Sequence, residues 1–132
     1  MTPPHAPLIL IVDDYDDALD IYGSYLTFKG YRTVAATSGE EAVAAARAYR
    51  PNVILMDLRM AGMTGTDAMR TLRSDDDFSS VPIAALTAHA LEDEMRQALA
   101  DGFDAVIAKP CLPQELVDHV ERLLASQRPS AS

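Results

Sequence analysis

The chain has a single cysteine, Cys111, in 132 residues. No intrachain disulfide can form, and nothing points to an oxidising compartment. Basic residues are also scarce: 11 Lys and Arg face 20 Asp and Glu, a net charge of −9. A protein that grips duplex phosphates needs a basic patch, so direct nucleic-acid binding is not expected. An acidic surface is likewise repelled by anionic lipid. Long apolar runs are lacking: the longest are about five residues, where a membrane-spanning helix needs about 20. The N-terminus has neither the basic start nor the small-residue cleavage site of a secretory signal. These absences lead to the expectation of a cytoplasmic protein without membrane contact. Cys111 is expected to be a small buried hydrophobe rather than a reactive thiol.

The rest of the composition is that of an ordinary globular domain, 48% hydrophobic and 23% charged. Five short apolar runs stand out: Leu8 to Val12, Thr33 to Ala36, Val53 to Met56, Val81 to Leu86 and Ala105 to Ala108. None alternates polar with apolar. Continuous apolar strands imply a sheet covered on both faces, the mark of parallel α/β architecture. Helical spacing lies between them, over Asp16 to Phe28, Gly39 to Tyr49, Thr66 to Arg73, Leu91 to Ala100 and Pro113 to Ala125. Ser38 with Glu41 three residues later reads as a capping box. Pro113 suits a first helical position, and Gly30 and Gly102 suit the positions just past a helix. The strands start roughly 20 to 30 residues apart, which one βαβ crossover requires. The expected unit is a single (βα)₅ domain over 8–125, with flexible tails at 1–7 and 126–132.

The polar residues fall at the strand ends. Asp13 and Asp14 follow the first strand, Asp57 ends the third, Thr87 follows the fourth and Lys109 the fifth. In an open parallel sheet all strand C-termini lie along one edge, where ligands bind. Four segments thus converge a carboxylate pair, a lone carboxylate, a hydroxyl and an ammonium. The second strand, ending near Thr37 and Ser38, contributes no charge there. A flavodoxin-like order 2-1-3-4-5 explains its silence by placing it at the sheet edge. Three clustered carboxylates repel one another, so positive charge must sit among them. Lys109 supplies one. A hard divalent cation, Mg²⁺ with Mn²⁺ as the alternative, supplies more and favours carboxylates plus a phosphate oxygen. Asp57 can then act as a nucleophile toward a phosphoryl group held by the metal, Lys109 and Thr87.

The segments VDD, LMDLRMAGMTG, LTA and AKP, in this order at these strand ends, resemble the motif set of response-regulator receiver domains, the chemotaxis-type single-domain regulators included. The likeness runs from about Leu8 to Leu124. It implies that Asp13, Asp14 and Asp57 hold the metal together with the backbone carbonyl of Arg59. It implies that Asp57 is the phosphoacceptor, that Thr87, the Ala88 amide and Lys109 bind the phosphoryl group, and that Lys109–Pro110 is cis. Arg59 and His89 are expected to rim the entrance. The implied donor is a histidine kinase or a histidine-phosphotransfer domain, and the implied output is binding of a downstream protein that the sequence does not name. The chain departs from the family in two places. Ala61 stands after Met60 where the family usually has proline, which leaves that loop looser. Val106 stands at the switch position where the family commonly has Tyr or Phe, so switching is expected to run through the Thr87 loop instead.

Two other functions compete. A phosphatase of the haloacid dehalogenase kind also uses an Asp nucleophile and Mg²⁺, but it needs a second Asp where Arg59 stands. A phosphorylation-independent interaction module would not need Asp13, Asp14, Asp57, Thr87 and Lys109 together. A signalling phosphoacceptor, not a metabolic enzyme, is therefore the expectation. The acidic run Asp75 to Asp77 reads as a solvated loop, His5 and His119 as exposed, and Met56, Met60, Met63 and Met69 as packing residues. The first helix has more apolar surface than a sheet contact covers. At about 100° per residue, Ala18, Leu19, Ile21, Tyr22, Tyr25, Leu26 and Phe28 span about 180°. One flank, either Leu19 with Leu26 or Ile21 with Phe28, is expected to remain exposed beside the site.

Overall fold

The computed structural model describes residues 6–88 and 91–126. Five strands and five helices alternate. They are β1 (Leu8–Val12), α1 (Asp16–Phe28), β2 (Arg32–Ala36), α2 (Gly39–Tyr49), β3 (Val53–Asp57), α3 (Gly65–Arg73), β4 (Ile83–Thr87), α4 (Glu92–Asp101), β5 (Ala105–Ala108) and α5 (Pro113–Ser126), with a short 3₁₀ turn at Asp76–Phe78. All strand pairs are parallel, in the order β2-β1-β3-β4-β5.

The unbroken apolar strands do cover two cores, because alternate side chains point to opposite faces. Leu10, Val12, Ile54, Met56, Ile83 and Ala85 pack with α2, α3 and Ala98 of α4. Their neighbours Ile9, Ile11, Val53, Leu55, Ala84 and Leu86 pack with α1 and α5. The chain leaves β1 to one side for β2 and to the other for β3. The two carboxyl ends on either side of that reversal form the crevice where a doubly wound sheet binds its ligand.

Local chemistry sets the boundaries. Gly30, at φ 98°, closes α1 with Gly30 N–H on the Thr27 carbonyl and Tyr31 N–H on the Leu26 carbonyl, both 3.0 Å. Pro113 opens α5, and Gly102, at φ 128°, closes α4. β4 starts at Ile83 rather than Val81, because Pro82 has no N–H to give the ladder. The capping box expected at Ser38 forms only in half. Ser38 accepts from the Glu41 amide at 3.1 Å, but the Glu41 carboxylate turns to the amide and hydroxyl of Thr37, both 2.8 Å. The reciprocal box lies instead at the head of α3, between Thr64 and Asp67. Of the tails, Ala6 and Pro7 are held: their carbonyls accept from Arg32 Nε at 2.8 Å and Arg32 N at 3.0 Å. Ser126 is the last residue of α5. The rest of both tails, 1–5 and 127–132, lies outside the described residues. Among the described residues no helix is long and apolar enough to cross a membrane.

Candidate functional site

The ladder continues past the strand ends, and this delivers the polar residues side by side. Asp13 N–H bonds the Ala36 carbonyl at 3.1 Å, Leu58 N–H the Leu86 carbonyl at 3.0 Å, and Lys109 N–H the Thr87 carbonyl at 2.8 Å. Asp57 is the last residue of β3 and Thr87 the last of β4, while Lys109 directly follows β5. Asp13, Asp57 and Thr87 are the buried polar residues of the described chain, at 0%, 6% and 3% exposure. Asp14 is exposed.

Burial of Asp13 is offset by full hydrogen bonding. One carboxylate oxygen accepts from Tyr15 N–H at 3.0 Å and the other from Lys109 Nζ at 2.6 Å. Lys109 Nζ stands 3.7 Å from Asp57 Oδ2, so one ammonium bridges the two carboxylates and favours Asp13. The other oxygen of Asp57 accepts from Arg59 N–H at 3.1 Å. Carboxylate oxygens of Asp13, Asp14 and Asp57 all lie within 4.8 Å of one another. Burial pushes the Asp57 carboxyl above its usual range. The Arg59 amide and the Lys109 ammonium oppose this, and the charges of Asp13 and Asp14 add to it. Burial alone draws the Lys109 ammonium down, but the bond to Asp13 and the charges of Asp57 and Asp13 outweigh it, and the net direction is up. The site therefore holds more negative charge than its one ammonium balances, and a divalent cation fits that donor set.

The loop between β3 and α3 is pinned at its root by the buried side chain of Met60 and at its end by the Thr64–Asp67 box. Gly65 lies directly on the Asp57 backbone and its N–H reaches the Leu58 carbonyl at 3.3 Å. Sequence reasoning missed this positioning role, although Thr64 and Asp67 carry the spacing of a helix start around it. After Lys109, the cis Lys109–Pro110 bond turns the chain toward α5. Tyr22 of α1 donates its hydroxyl to the Cys111 carbonyl there, at 3.3 Å. Cys111 is buried, and burial raises its thiol, as expected of a packing residue.

Arg59 is exposed and shares a cleft of about 220 Å³ with Leu58, Thr66, Thr87, Glu94 and Gln97. Ala88 is exposed at the edge of the site, and His89, expected beside it, lies outside the described residues, as does His5. Val106 is half-buried against the core under α4, paired in register with Ala85. His119 differs from expectation: it is half-buried, and Arg122 lies 3.4 Å from its Nδ1. Of the acidic run, Asp77 pairs with Arg50 at 3.0 Å and Asp75 lies 4.0 Å from Arg47, as a surface loop does. On α1, Leu19 and Leu26 are buried whereas Ile21 and Phe28 are 55% and 80% exposed, which identifies the open flank.

The chain matches the family model of the response regulator receiver domain over residues 9–121. It is 28% identical to the polar-differentiation response regulator DivK of Brucella anthropi, over 88% of this chain and 94% of DivK. It is 37% identical to the DNA-binding response regulator MtrA of Mycolicibacterium smegmatis, again over 88% of this chain, but spans only 50% of MtrA. Among solved structures it resembles the receiver domain of the sensor histidine kinase PA1611 of Pseudomonas aeruginosa, determined with a magnesium ion in its active-site cleft. The TM-score is 0.84 at 33% identity, covering 92% of this chain and 99% of that one. A parallel sheet in the order 2-1-3-4-5, with these carboxylates at its reversal point, carries the same conclusion as these likenesses: the chain belongs to the response-regulator receiver domains of two-component signalling.

Proposed function

We propose that Asp57 is the phosphoacceptor of this receiver and that it is loaded from a phosphohistidine. The observation that carries this reading is the placement of Asp57. It is a nearly buried carboxylate at the end of the central strand, flanked by the Asp13 and Asp14 carboxylates and by the Lys109 ammonium. In the transfer, an Asp57 carboxylate oxygen forms a bond to phosphorus while the bond from phosphorus to the imidazole nitrogen breaks. The imidazole keeps that electron pair and takes up a proton. Mg²⁺, or Mn²⁺ in its place, supplies charge neutralisation for the phosphoryl oxygens when it is bound. Asp13, Asp14 and Asp57, with the Arg59 backbone carbonyl, are the residues that would hold it.

Lys109 is already poised between Asp13 and Asp57, and a phosphoryl group on Asp57 offers its ammonium a second anionic partner. The Thr87 hydroxyl and the Ala88 amide, at the end of β4, are assigned to the remaining phosphoryl oxygens. Arg59 rims the entrance, and His89 is assigned beside it from sequence. The donor is a histidine kinase or a histidine-phosphotransfer domain met in the cytoplasm. The product is a signal to a downstream protein, not a released metabolite. Incubation with acetyl phosphate and Mg²⁺ followed by intact mass tests the core of this reading. The wild type gains one phosphoryl group, while Asp57→Asn gains none. Labelling of Asp57→Asn to the wild-type extent would overturn it.

A further inference from the structure

The loop over 58–64 has to hold the Arg59 carbonyl still, yet the residues at its tip are Ala61 and Gly62, with no proline to stiffen it. Gly62 adopts φ 75° and turns the chain toward α2. Between the buried Met60 and the Thr64–Asp67 box, a further hold on the loop comes from there. The Met63 amide donates to Glu40 Oε1 at 3.2 Å. Gly39, the first residue of α2, lies against the other side of Met63. A Cβ on Gly39 would stand 2.7 Å from the Met63 carbonyl oxygen and 2.8 Å from its Cβ and Cγ. One residue of the loop is thus gripped at its N–H by a carboxylate and at its C=O by a bare backbone. The adjacent carboxylate does different work: Glu41 bonds the amide and hydroxyl of Thr37 at the entry to its own helix. An acidic residue in a first turn needs no explanation beyond the helix dipole, but the dipole does not account for a bond 23 residues along the chain.

We infer that Gly39 and Glu40 are positioning residues of the phosphoacceptor loop: by fixing Met63 they hold the Arg59 carbonyl where it completes the Mg²⁺ site of Asp13, Asp14 and Asp57. This rests on the assignment of that metal site. The physical link is entropic and geometric. A loop freed at Met63 must be re-ordered each time a cation binds, and that ordering opposes binding. Mg²⁺ tolerates little departure from octahedral geometry, whereas Ca²⁺ accepts irregular cages. Loosening the loop therefore weakens Mg²⁺ more than Ca²⁺.

The test is calorimetric titration of the full chain with Mg²⁺ and with Ca²⁺, alongside amide exchange at Met63, for wild type, Glu40→Ala, Glu40→Gln and Glu41→Ala. Loss of one solvent-exposed hydrogen bond, its charge screened by water, predicts Mg²⁺ binding weaker by about three- to tenfold in Glu40→Ala, with a smaller loss for Ca²⁺ and faster exchange at Met63. Glu40→Gln keeps an acceptor oxygen and stays within about twofold of wild type, because loss of the exposed charge alone is screened. Glu41→Ala lowers stability and leaves Mg²⁺ affinity unchanged. Gly39→Ala is a harsher probe, and its failure to fold does not bear on the Glu40 series. If Glu40→Gln falls as far as Glu40→Ala, charge and not position is responsible and the inference is overturned. It is also overturned if Glu40→Ala binds Mg²⁺ as the wild type does, a result that leaves the metal site standing. A wild type that binds no Mg²⁺ overturns both.

Discussion

Gly65 rests on the backbone of Asp57 with no room for a side chain between them. A Cβ on Gly65 would stand 2.9 Å from the Asp57 carbonyl carbon and 3.0 Å from Leu58 Cα, and closer still to the Asp57 carbonyl oxygen. Backbone atoms cannot rotate away as a flexible side chain can. Gly65→Ala must therefore shift α3 or the end of β3. Overpacking of this kind costs about 1–3 kcal/mol, and rigid neighbours place this site toward the upper end. Urea denaturation measures it directly, and labelling by acetyl phosphate should slow in parallel as Asp57 moves. An unchanged midpoint would mean that α3 slides away freely.

The three carboxylates predict the response to metal. Both Asp13 oxygens already accept hydrogen bonds, whereas among the described residues no donor bonds the Asp14 carboxylate. Asp14 is the freest ligand, so Asp14→Asn should weaken Mg²⁺ binding most. Wild type should melt higher with Mg²⁺ present, by about 2.7 kcal/mol of added stability at a hundred times the dissociation constant. In chelator, Asp57→Asn should melt above wild type, because it keeps an acceptor for the Arg59 amide while removing a charge that burial and Asp13 disfavour. A wild-type melting temperature indifferent to tens of millimolar Mg²⁺ would show that the acidic cluster is not a metal site.

His119 gives a pH dependence remote from the acidic cluster. Burial lowers its pKa, the Arg122 charge lowers it further, and Glu115 and Asp118 pull it partly back. A histidine whose folded pKa lies below its unfolded value binds fewer protons when folded. Stability is then highest above the unfolded value of about 6.5 and falls as pH drops through it toward the folded pKa. His119→Gln removes that loss. The stability difference between wild type and His119→Gln should therefore move against the wild type from pH 7 to pH 5. A difference constant across that range would contradict the assignment.

Switching without an aromatic at Val106 has a mechanical consequence. In α4, Ala98 is the buried residue, and Glu92, Asp93, Glu94 and Arg96 all face solvent. The far end is tied down: Arg70 pairs with Asp101 at 3.0 Å, and Arg73 reaches the Gly102 carbonyl at 3.4 Å and Asp104 at 2.6 Å. An element held at one end moves at the other. Phosphorylation should change amide exchange between Thr87 and Arg96 and leave Asp101 to Asp104 nearly unaltered. A change confined to Ala105 to Ala108 would place the switch in β5 instead.

The strand ends could be read from sequence because apolar runs stop abruptly at Asp13, Asp57, Thr87 and Lys109, and a parallel sheet leaves no other place for these residues to meet. The apolar run starts at Val81 but β4 only at Ile83: Val81 is apolar enough to join the run, while Pro82 withholds the donor that the ladder needs. Spacing does not single out the partner of Glu41, because Thr37 and Ser38 both offer donors at nearly the same distance along the chain and the carboxylate takes Thr37. The grip on Met63 has no local signature, and the contact of Gly65 with the Asp57 carbonyl has only the helix-start spacing of Thr64 and Asp67 around it. Both depend on how α2 and α3 approach the loop, which is a property of packing more than of spacing.

The exposed flank of α1 carries the last prediction. Leu19, Tyr22 and Leu26 are consumed by the core shared with α5, which leaves Ile21 and Phe28 on the opposite side of the apolar arc. At about 1.5 Å per residue, Ile21 lies about 8 Å along the helix from its start beside Asp14, and Phe28 about 18 Å. A helical phosphohistidine donor whose own apolar stripe lies on this flank would reach Ile21 first. Ile21→Asp should therefore lower transfer from the protein donor at least about tenfold, equivalent to about 1.4 kcal/mol of docking, and Phe28→Asp should lower it less. Acetyl phosphate should label Asp57 normally in both, because it needs no docking surface. Leu26→Asp, by contrast, buries a charge at a position with 0% exposure and should unfold the domain. Stopped-flow transfer from a purified donor domain would decide the matter. Full transfer rates in both exposed-flank variants would show that the donor approaches by another face.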